Sequence, residues 1–331
     1  MKTIFDGTVL GAIPLKNRIW RSATWLALSQ DGRVNDTIIR TYEVLAKGQA
    51  AAIITGLVSI SPMDESLPGG VCFRDDSDLE GHRRLTESVH RYGARIYLQA
   101  GMVDGDVNGW SREQIRTIVG HFGDAAERAE KAGYDGVQIH AAHFFFLSKF
   151  LSPAVNKRKD SYGGSPEDRA RILVEILRDM RAKTRPEFSI IIKINASDFL
   201  PGGLEDRDFF TACKMLAVNG IDAIEVSANG TSVSGVKAGV NEAYFSDYAD
   251  ALKAEVDIPV ILVGGHRSIE AMNRLLNETD IEYLSMSRPL IREPDLMQRW
   301  MDGDSRPALC ISCNSCYRTD GHTCIFNSKK K

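Results

Sequence analysis

Two histidines stand three residues apart in His140-Ala-Ala-His143, directly after an apolar run. If that run is a strand, both imidazoles lie just beyond its end, where two N–H groups can donate to one oxygen and stabilise negative charge on it. A two-histidine metal site is a second interpretation, although no Asp or Glu stands nearby to complete three ligands. An ordinary structural role is the third. The pair alone does not choose among the three.

A phosphate-binding corner is indicated by two short segments later in the chain. Gly264 and Gly265 would let backbone N–H groups approach an anion, and Ser287-Arg288 adds a guanidinium that can bind it with two hydrogen bonds. The alternative is that the glycines only turn the chain and Arg288 makes a surface ion pair.

Lys193 is a charged residue inside the apolar run Ile192-Lys193-Ile194. Its ammonium needs a partner, because burying an unpaired charge is costly. An anionic ring or a phosphate at the strand end would meet that need. Alternatively, the aliphatic stem carries the ammonium to water. Gln99, at the end of another apolar run, is a candidate ligand contact or a partner for nearby backbone groups.

Four of the six cysteines fall in one short C-terminal segment, whereas Cys72 and Cys213 stand alone. In a reducing compartment such a cluster favours metal ligation over disulfides. The four clustered residues are Cys310, Cys313, Cys316 and Cys324.

The elements that must position these groups follow from apolar runs and capping residues. Helical patterns separate the runs, and three of them are expected to begin after Ser77, Ser111 and Ser165. Alternating strands and helices predict parallel β/α units, and eight units predict a closed (β/α)8 TIM barrel. The eight predicted strands are 18–24, 51–60, 95–101, 136–142, 189–197, 223–228, 259–265 and 283–287.

The barrel prediction places the chemistry at the carboxyl ends of the strands. We expect the barrel to span residues 1–305 and a cysteine-rich extension to span 306–331. No G-x-G-x-x-G follows a strand, so a Rossmann dinucleotide domain is not expected. The strand ends are polar and could hold a cofactor that carries a phosphate; they are Ser22 and Thr24, Gly56, Gln99, His140 and His143, Lys193 and Asn195, Ser227 and Asn229, Gly264 and Gly265, and Ser287 and Arg288.

Composition narrows the class of protein. The 331 residues include 41 Lys+Arg and 44 Asp+Glu, a net charge of −3, and 43% are hydrophobic. No basic surface for nucleic acid is expected, and no apolar run reaches the roughly 18 residues of a membrane span. The basic end Lys329–Lys331 reads as a solvated terminus, and the absence of a signal pattern predicts a cytoplasmic protein.

One long block resembles the old yellow enzyme family of FMN-binding barrels. It runs His140-Ala-Ala-His143-Phe-Phe-Phe-Leu-Ser-Lys-Phe-Leu-Ser-Pro153 and continues through Asn156-Lys-Arg-Lys-Asp-Ser-Tyr-Gly-Gly-Ser165. Shorter blocks, such as Leu15-Lys-Asn-Arg-Ile19 and Val263-Gly-Gly265, fit the same pattern. The resemblance covers about Leu15 to Cys324 and is greatest to the branch with 2,4-dienoyl-CoA reductase and trimethylamine dehydrogenase.

The resemblance implies a role for each candidate residue. NAD(P)H would reduce FMN, and an activated alkene would then receive the hydride while His140 and His143 hold its carbonyl oxygen. Gly264, Gly265, Ser287 and Arg288 would bind the phosphate. The residues implied to surround the flavin ring are Ala23, Thr24, Gly56, Gln99 and Lys193.

Two departures from the family pattern concern the substrate side. The family usually has Tyr two residues after the second histidine as proton donor, and here Phe145 has no proton to give. Another tyrosine or water would have to protonate the product; otherwise the reaction is a dehydrogenation, or the protein binds flavin without turnover. The segment Gln99-Ala-Gly-Met102 also lacks the family's usual histidine and arginine, which predicts a remodelled loop over the flavin.

The cysteine segment resembles the 4Fe-4S site of the same branch. Four thiolates are the ligand count of such a cluster, but Cys316 and Cys324 are closer together than in those relatives. A 4Fe-4S cluster, zinc and unligated thiols therefore stay as alternatives. A cluster would imply a separate electron-transfer partner, and the sequence leaves the substrate and the oligomeric state open.

Overall fold

The computed structural model describes residues 1–327, so the basic end Lys329–Lys331 lies outside the described residues. Eight parallel strands close into a barrel, because the last barrel strand pairs with the first and the first pairs with the second. This confirms the predicted (β/α)8 TIM barrel. The barrel strands are β3 (Ile19–Arg21), β4 (Ala52–Ser59), β6 (Arg95–Gly101), β7 (Gly136–Ala141), β8 (Ser189–Asn195), β9 (Ala223–Ser227), β10 (Val260–Val263) and β11 (Tyr283–Met286); β1 (Thr8–Leu10), β2 (Ile13–Leu15) and β5 (Val71–Cys72) are additional.

The helices follow the barrel strands and cover the outside of the barrel. Ser111 begins the longest with a capping box in which Gln114 bonds back to the cap, and Ser165 caps the next long helix with Pro166 in its first turn, as predicted. The prediction at Ser77 is wrong: Asp75 caps a short 3₁₀ turn there, and the following helix begins at Leu79. The helices are α1 (Asp36–Lys47), α2 (Leu79–His90), α3 (Arg112–Lys131), α4 (Phe146–Leu151), α5 (Pro166–Lys183), α6 (Asp206–Val218), α7 (Ser246–Lys253), α8 (Ile269–Glu278), α9 (Arg288–Arg292) and α10 (Leu296–Met301).

The hairpin of β1 and β2 closes the amino-terminal end of the barrel. Leu10, Ile13 and Leu15 are buried against the barrel's interior side chains, including Trp20 and Tyr97. Strand side chains alternate in direction, so the inward-facing residues form successive layers along the barrel axis. The lowest layer is apolar and forms a floor together with the hairpin.

Two residues further along the strands, the inward-facing side chains become polar. This polar layer consists of Ser22, Gln99, Gln138, Lys193, Glu225 and Ser285, all of them buried. Its members hydrogen-bond one another across the barrel. The barrel therefore has an apolar floor and a hydrogen-bonded layer directly below its mouth.

Residues 306–327 run back over the carboxyl ends of the strands. The backbone N–H of Ala308 donates to the carbonyl of Arg267 at 2.8 Å, and the Asn314 amide donates to the Ser232 carbonyl at 2.7 Å. Two short 3₁₀ turns, Ser315–Arg318 and Asp320–His322, complete the segment. Among the described residues, no helix combines the length and hydropathy needed to cross a membrane.

Candidate active site

A cavity of about 220 Å³ lies at the carboxyl ends of the barrel strands. Of the residues implied to bind flavin or substrate, all except Gly56 line it, so strand ends far apart in sequence meet in one place. The predicted strand-end residues Asn195, Ser227 and Asn229 are not among its lining residues. The predicted residues in its wall are Ala23, Thr24, Gln99, His140, His143, Lys193, Gly264, Gly265, Ser287 and Arg288.

Gly56 does not line the cavity, because it lies inside β4, three residues before this strand ends at Ser59. The register of β4 against β6 shifts between Ile54 and Leu57, and Leu57 takes the place in the wall. A side chain at Gly56 would lie 2.7 Å from the carbonyl oxygen of Thr24. Gly56 thus lets the Thr24 backbone approach β4 instead of contacting a ligand itself.

Gly264 and Gly265 form one corner of the cavity in conformations that favour glycine, with φ of 129° and 83°. The ring of Tyr244 lies against both glycines, and its hydroxyl donates to the Thr231 carbonyl at 2.5 Å. The nearby Arg288 guanidinium donates to the carbonyl of Val233 at 2.7 Å. Backbone amides and a guanidinium thus meet at the corner predicted for phosphate.

A side chain added at this corner is expected to weaken flavin binding. In Gly265→Ala the new Cβ would lie 2.8 Å from the Tyr244 ring, and the φ of 83° would strain any L residue. We expect the dissociation constant for FMN, measured by fluorescence titration, to rise at least about tenfold.

Gly303→Ala is the matched control, because Gly303 has a φ of 95° but open space around its Cβ position. It introduces the same kind of backbone strain without a steric clash, and it should leave FMN affinity unchanged. Equal FMN affinities of the two variants would contradict a phosphate site at Gly265.

His140 and His143 face each other with ring centroids 5.3 Å apart, and both line the cavity. A tight turn follows β7, in which His143 and Phe144 have φ of 62° and 64°, and this turn brings His143 back toward the barrel axis. The Nε2 atom of His143 lies 2.8 Å from the Ser227 hydroxyl, and its backbone N–H donates to the Asn195 side-chain oxygen at 3.0 Å.

Burial lowers the pKa of both histidines, and the nearby Lys193 ammonium lowers them further. The pKa of His143 falls to about 3, and that of His140 lies well below its usual range. At neutral pH both rings are therefore neutral, each with one N–H donor and one acceptor nitrogen. Two neutral donors can bind one carbonyl oxygen, which fits the first of the three interpretations of the pair.

Acidification is expected to destabilise the fold through these two rings. In the unfolded chain they take up protons near pH 6.5, whereas in the folded protein they stay neutral, so the free energy of unfolding falls as pH drops below 6.5. We expect a loss of about 1 to 2 kcal/mol per histidine between pH 7 and pH 5. Urea denaturation at both pH values measures the free energy of unfolding. In the double variant His140→Gln/His143→Gln this free energy should depend less on pH. If its pH dependence equals that of the wild-type protein, the two histidines are not the cause of the acid destabilisation.

Lys193 and Glu225 form a buried ion pair in the polar layer, with side chains 3% and 0% exposed and Nζ 3.3 Å from Oε1. The Lys193 ammonium also donates to the Ser22 hydroxyl at 2.8 Å. Burial lowers the Lys193 pKa, while the Glu225 carboxylate opposes this shift. Glu225 is not among the predicted site residues, although its charge within an apolar strand is the same signal that indicated Lys193.

Phe145 lines the cavity with its ring 5.0 Å from that of His140, where it offers no proton. Two phenols lie elsewhere in the wall, on Tyr244 and on Tyr317 of the C-terminal segment. The Tyr317 hydroxyl lies 2.5 Å from that of Ser232. His322, from the same segment, packs edge-on against Trp25. Neither Tyr317 nor His322 is among the predicted site residues, since no local pattern shows where the segment folds.

The four clustered cysteines line one small cavity beside Arg288, and all six cysteines of the chain are free thiols. Within residues 1–327, no group of three metal-binding side chains is arranged to hold an ion. Two arginines lie near the sulfurs: Arg267 at 3.9 Å from Cys310 and Arg292 at 4.0 Å from Cys324. The cysteines are thus gathered at one place but not arranged as ligands.

The fold and its comparisons place the protein among the flavin oxidoreductases. The sequence profile of the NADH:flavin oxidoreductase / NADH oxidase family matches residues 3–108 and 105–305, and the chain belongs to this family. This confirms the resemblance to the old yellow enzyme family. The barrel is also similar to the solved old yellow enzyme homologue from Zymomonas mobilis, at a TM-score of 0.77 and 22% identity over 91% of this chain and 92% of that one.

Two curated relatives show how length varies among similar proteins. A metal reductase from Desulforamulus reducens is 29% identical over 99% of this chain, which spans only 54% of that protein. An NADPH dehydrogenase from Halalkalibacterium halodurans is 30% identical over 88% of this chain and 91% of its own length. The chain therefore spans about half the length of the first relative and most of the second.

The cavity residues fit FMN, the flavin of this family. Three cations, Lys193, Arg267 and Arg288, line the cavity, and no carboxylate appears among its described lining residues. At the glycine corner a Cβ would meet the Tyr244 ring, so only glycine lets the backbone pass there, and the buried Nδ1 of His266 and Nε1 of Trp25 have no hydrogen-bond partner among the described residues. A cationic, donor-rich cavity suits an anionic phosphate and a flavin ring that gains negative charge on reduction.

Proposed function

We propose that the protein is an FMN-dependent oxidoreductase that takes a hydride from NAD(P)H and reduces the activated C=C bond of an α,β-unsaturated carbonyl compound. The observation that carries this proposal is the pair of neutral histidines facing the cavity whose wall contains Lys193. FMN, when bound, supplies hydride transfer in both directions. The NADPH dehydrogenase among the relatives supports a nicotinamide donor.

Each group of cavity residues then has a task. Gly264, Gly265, Ser287 and Arg288 would hold the phosphate, and Ala23, Thr24 and Gln99 would surround the ring. Lys193 would stabilise negative charge on the reduced ring through its ammonium. Gly56 would act indirectly, by allowing the close approach of the Thr24 backbone.

The histidine pair would bind the substrate's carbonyl oxygen. Donors aimed at an oxygen that gains negative charge lower the barrier, and removing one such donor costs about 2.7 to 4 kcal/mol in other enzymes. Hydrogen bonds from His140 and His143 would also orient the alkene for attack. Because Phe145 cannot give a proton, protonation of the product falls to water or to a phenol such as that of Tyr317.

A spectroscopic experiment tests the proposal. The purified protein should be yellow, its flavin absorbance should bleach on addition of NADH or NADPH, and a small enone such as cyclohexenone should restore it. Comparing the two nucleotides identifies the preferred donor. A flavin-loaded protein that neither nucleotide reduces would refute the NAD(P)H-dependent reaction and leave substrate oxidation or a flavin-binding role.

A second candidate function is oxidation of a substrate, such as an amine, with electrons leaving through the cysteine segment to a separate partner. Its support is that the four cysteines line one cavity and that Arg288 borders both this cavity and the flavin cavity. Iron and acid-labile sulfide at four atoms each per chain would support a 4Fe-4S cluster. Stoichiometric zinc, or four thiols that react with a thiol reagent and no metal, would instead refute it.

Two further expectations stand as proposals alongside this function. The boundary between barrel and extension at residues 305 and 306 follows the point where the chain leaves the last helix and turns back over the strand ends. A cytoplasmic location is supported by six unpaired thiols, which persist in reducing compartments.

A further inference from the structure

A chain of buried hydrogen bonds connects Glu225 to His140 through two glutamines. The Gln138 amide nitrogen donates to Glu225 Oε2 at 2.6 Å, and the Gln99 amide nitrogen donates to Gln138 Oε1 at 2.9 Å. The same Gln99 nitrogen lies 3.4 Å from Nδ1 of His140. All four side chains are at most 3% exposed. The chain crosses from β9 through β7 to β6 and returns to the end of β7.

The direction of every hydrogen bond in this chain is set at Glu225. A carboxylate only accepts, so Gln138 must turn its NH₂ group toward Glu225 and its carbonyl toward Gln99. Gln99 must then present its own NH₂ group to that carbonyl. The other carboxylate oxygen is held by the hydroxyls of Ser22 and Ser285, at 2.9 and 2.5 Å, and by the Lys193 ammonium. Glu225 is therefore fixed by donors on both oxygens.

This direction has a consequence for His140. The Gln99 NH₂ group has two hydrogens, one for Gln138 and one facing Nδ1 of His140, so Nδ1 must be the acceptor nitrogen of the ring. A neutral imidazole with an acceptor at Nδ1 carries its hydrogen on Nε2. Among the described residues, Nε2 of His140 has no hydrogen-bond partner, and the ring lines the cavity.

We propose that Glu225 is a positioning residue that acts through Gln138 and Gln99 to hold His140 as the tautomer with its hydrogen on Nε2, available to a ligand oxygen in the cavity. The same chain leaves the Gln99 carbonyl as an acceptor at the cavity wall. The inference deepens the proposed function, since it assigns the donor atom of one histidine, but the tautomer itself does not depend on turnover.

The substitution Glu225→Gln is expected to reverse the chain. The hydroxyls and the ammonium would retain the carbonyl of the new glutamine, so its NH₂ group would face Gln138. Gln138 and Gln99 would then each turn over, and the Gln99 carbonyl would face Nδ1 of His140. His140 would shift to the tautomer with its hydrogen on Nδ1.

Nitrogen NMR of the flavin-bound protein labelled with ¹⁵N-histidine measures the tautomer directly, and the His140→Gln variant assigns the signals. In the wild-type protein we expect the Nε2–H form to exceed the other by about tenfold, and in Glu225→Gln we expect the Nδ1–H form to dominate. Ser285→Ala is the matched control, because it removes one donor to the same carboxylate without changing the direction of the chain. It should retain the wild-type tautomer.

Each outcome bears on the inference separately from the proposed function. A wild-type His140 with its hydrogen on Nδ1, or a folded Glu225→Gln variant with an unchanged tautomer, would overturn it. If Glu225→Gln does not fold, Gln138→Met interrupts the chain while keeping both charges of the ion pair, and His140 should then lose its strong preference. A protein that shows the shift but reduces no enone would keep the inference and lose only the proposed function.

Discussion

Replacing His143 with alanine is expected to slow reoxidation of the reduced flavin by an enone about 10²- to 10³-fold, while FMN stays bound. The physical reason is the loss of a donor to the carbonyl oxygen at the moment when that oxygen gains negative charge. Because the ring is neutral at neutral pH, its pKa being about 3, the loss should be nearly constant between pH 6 and pH 8. Rapid-mixing absorbance of the pre-reduced protein with cyclohexenone measures the rate.

His121→Ala serves as the control for this substitution. His121 pairs through Nδ1 with the Ser61 hydroxyl at 2.9 Å and does not line the cavity. It should leave the reoxidation rate within about twofold of the wild-type rate. If His143→Ala were as fast as His121→Ala, the histidine pair would not be the oxygen-binding element, and the proposed reaction would need another site.

The second large effect is expected from the buried ion pair. Lys193→Met leaves the fully buried Glu225 carboxylate without its cation, and breaking a buried pair in this way costs about 3 to 5 kcal/mol of unfolding free energy. The double variant Lys193→Met/Glu225→Gln removes both charges and should recover most of that loss. Urea denaturation, followed by circular dichroism, gives the free energy of unfolding of the flavin-free wild-type protein, the single variant and the double variant.

Lys253→Met is the comparison for the cost of a more exposed pair. Lys253 lies 2.9 Å from Glu282, whose side chain is 27% exposed, so solvent can compensate for the lost partner. Its substitution should cost about 1 kcal/mol or less. A Lys193→Met variant no less stable than Lys253→Met would show that water enters the polar layer and that Glu225 is not confined as the structure indicates.

The barrel could be predicted because local apolar patterns in the sequence indicate its strands. Runs such as Ile190-Ile-Ile192 are apolar on both faces, as strands between a barrel interior and outer helices must be. Once eight such runs are recognised, the rule that strand ends converge brings His140, Lys193 and Arg288 into one cavity. Local pattern and fold rule together were sufficient for most of the site.

Other parts of the site depend on register and on distant contacts. The register shift in β4 places Leu57 instead of Gly56 in the cavity wall. The types of the residues in β4 do not indicate such a shift. The C-terminal segment reaches the cavity through contacts between residues far apart in sequence, such as Tyr317 with Ser232. Local sequence patterns reflect one element at a time, so they do not reveal contacts of this kind.

The hairpin floor has a kinetic consequence. With Leu10, Ile13 and Leu15 sealing the amino-terminal end, the described part of the molecule offers the cavity an opening only on the loop side. A nucleotide and an alkene would then enter through the same opening and bind one after the other, because each excludes the other while it is bound. Steady-state data should give parallel double-reciprocal lines, and an excess of either reactant should inhibit by competing with the other.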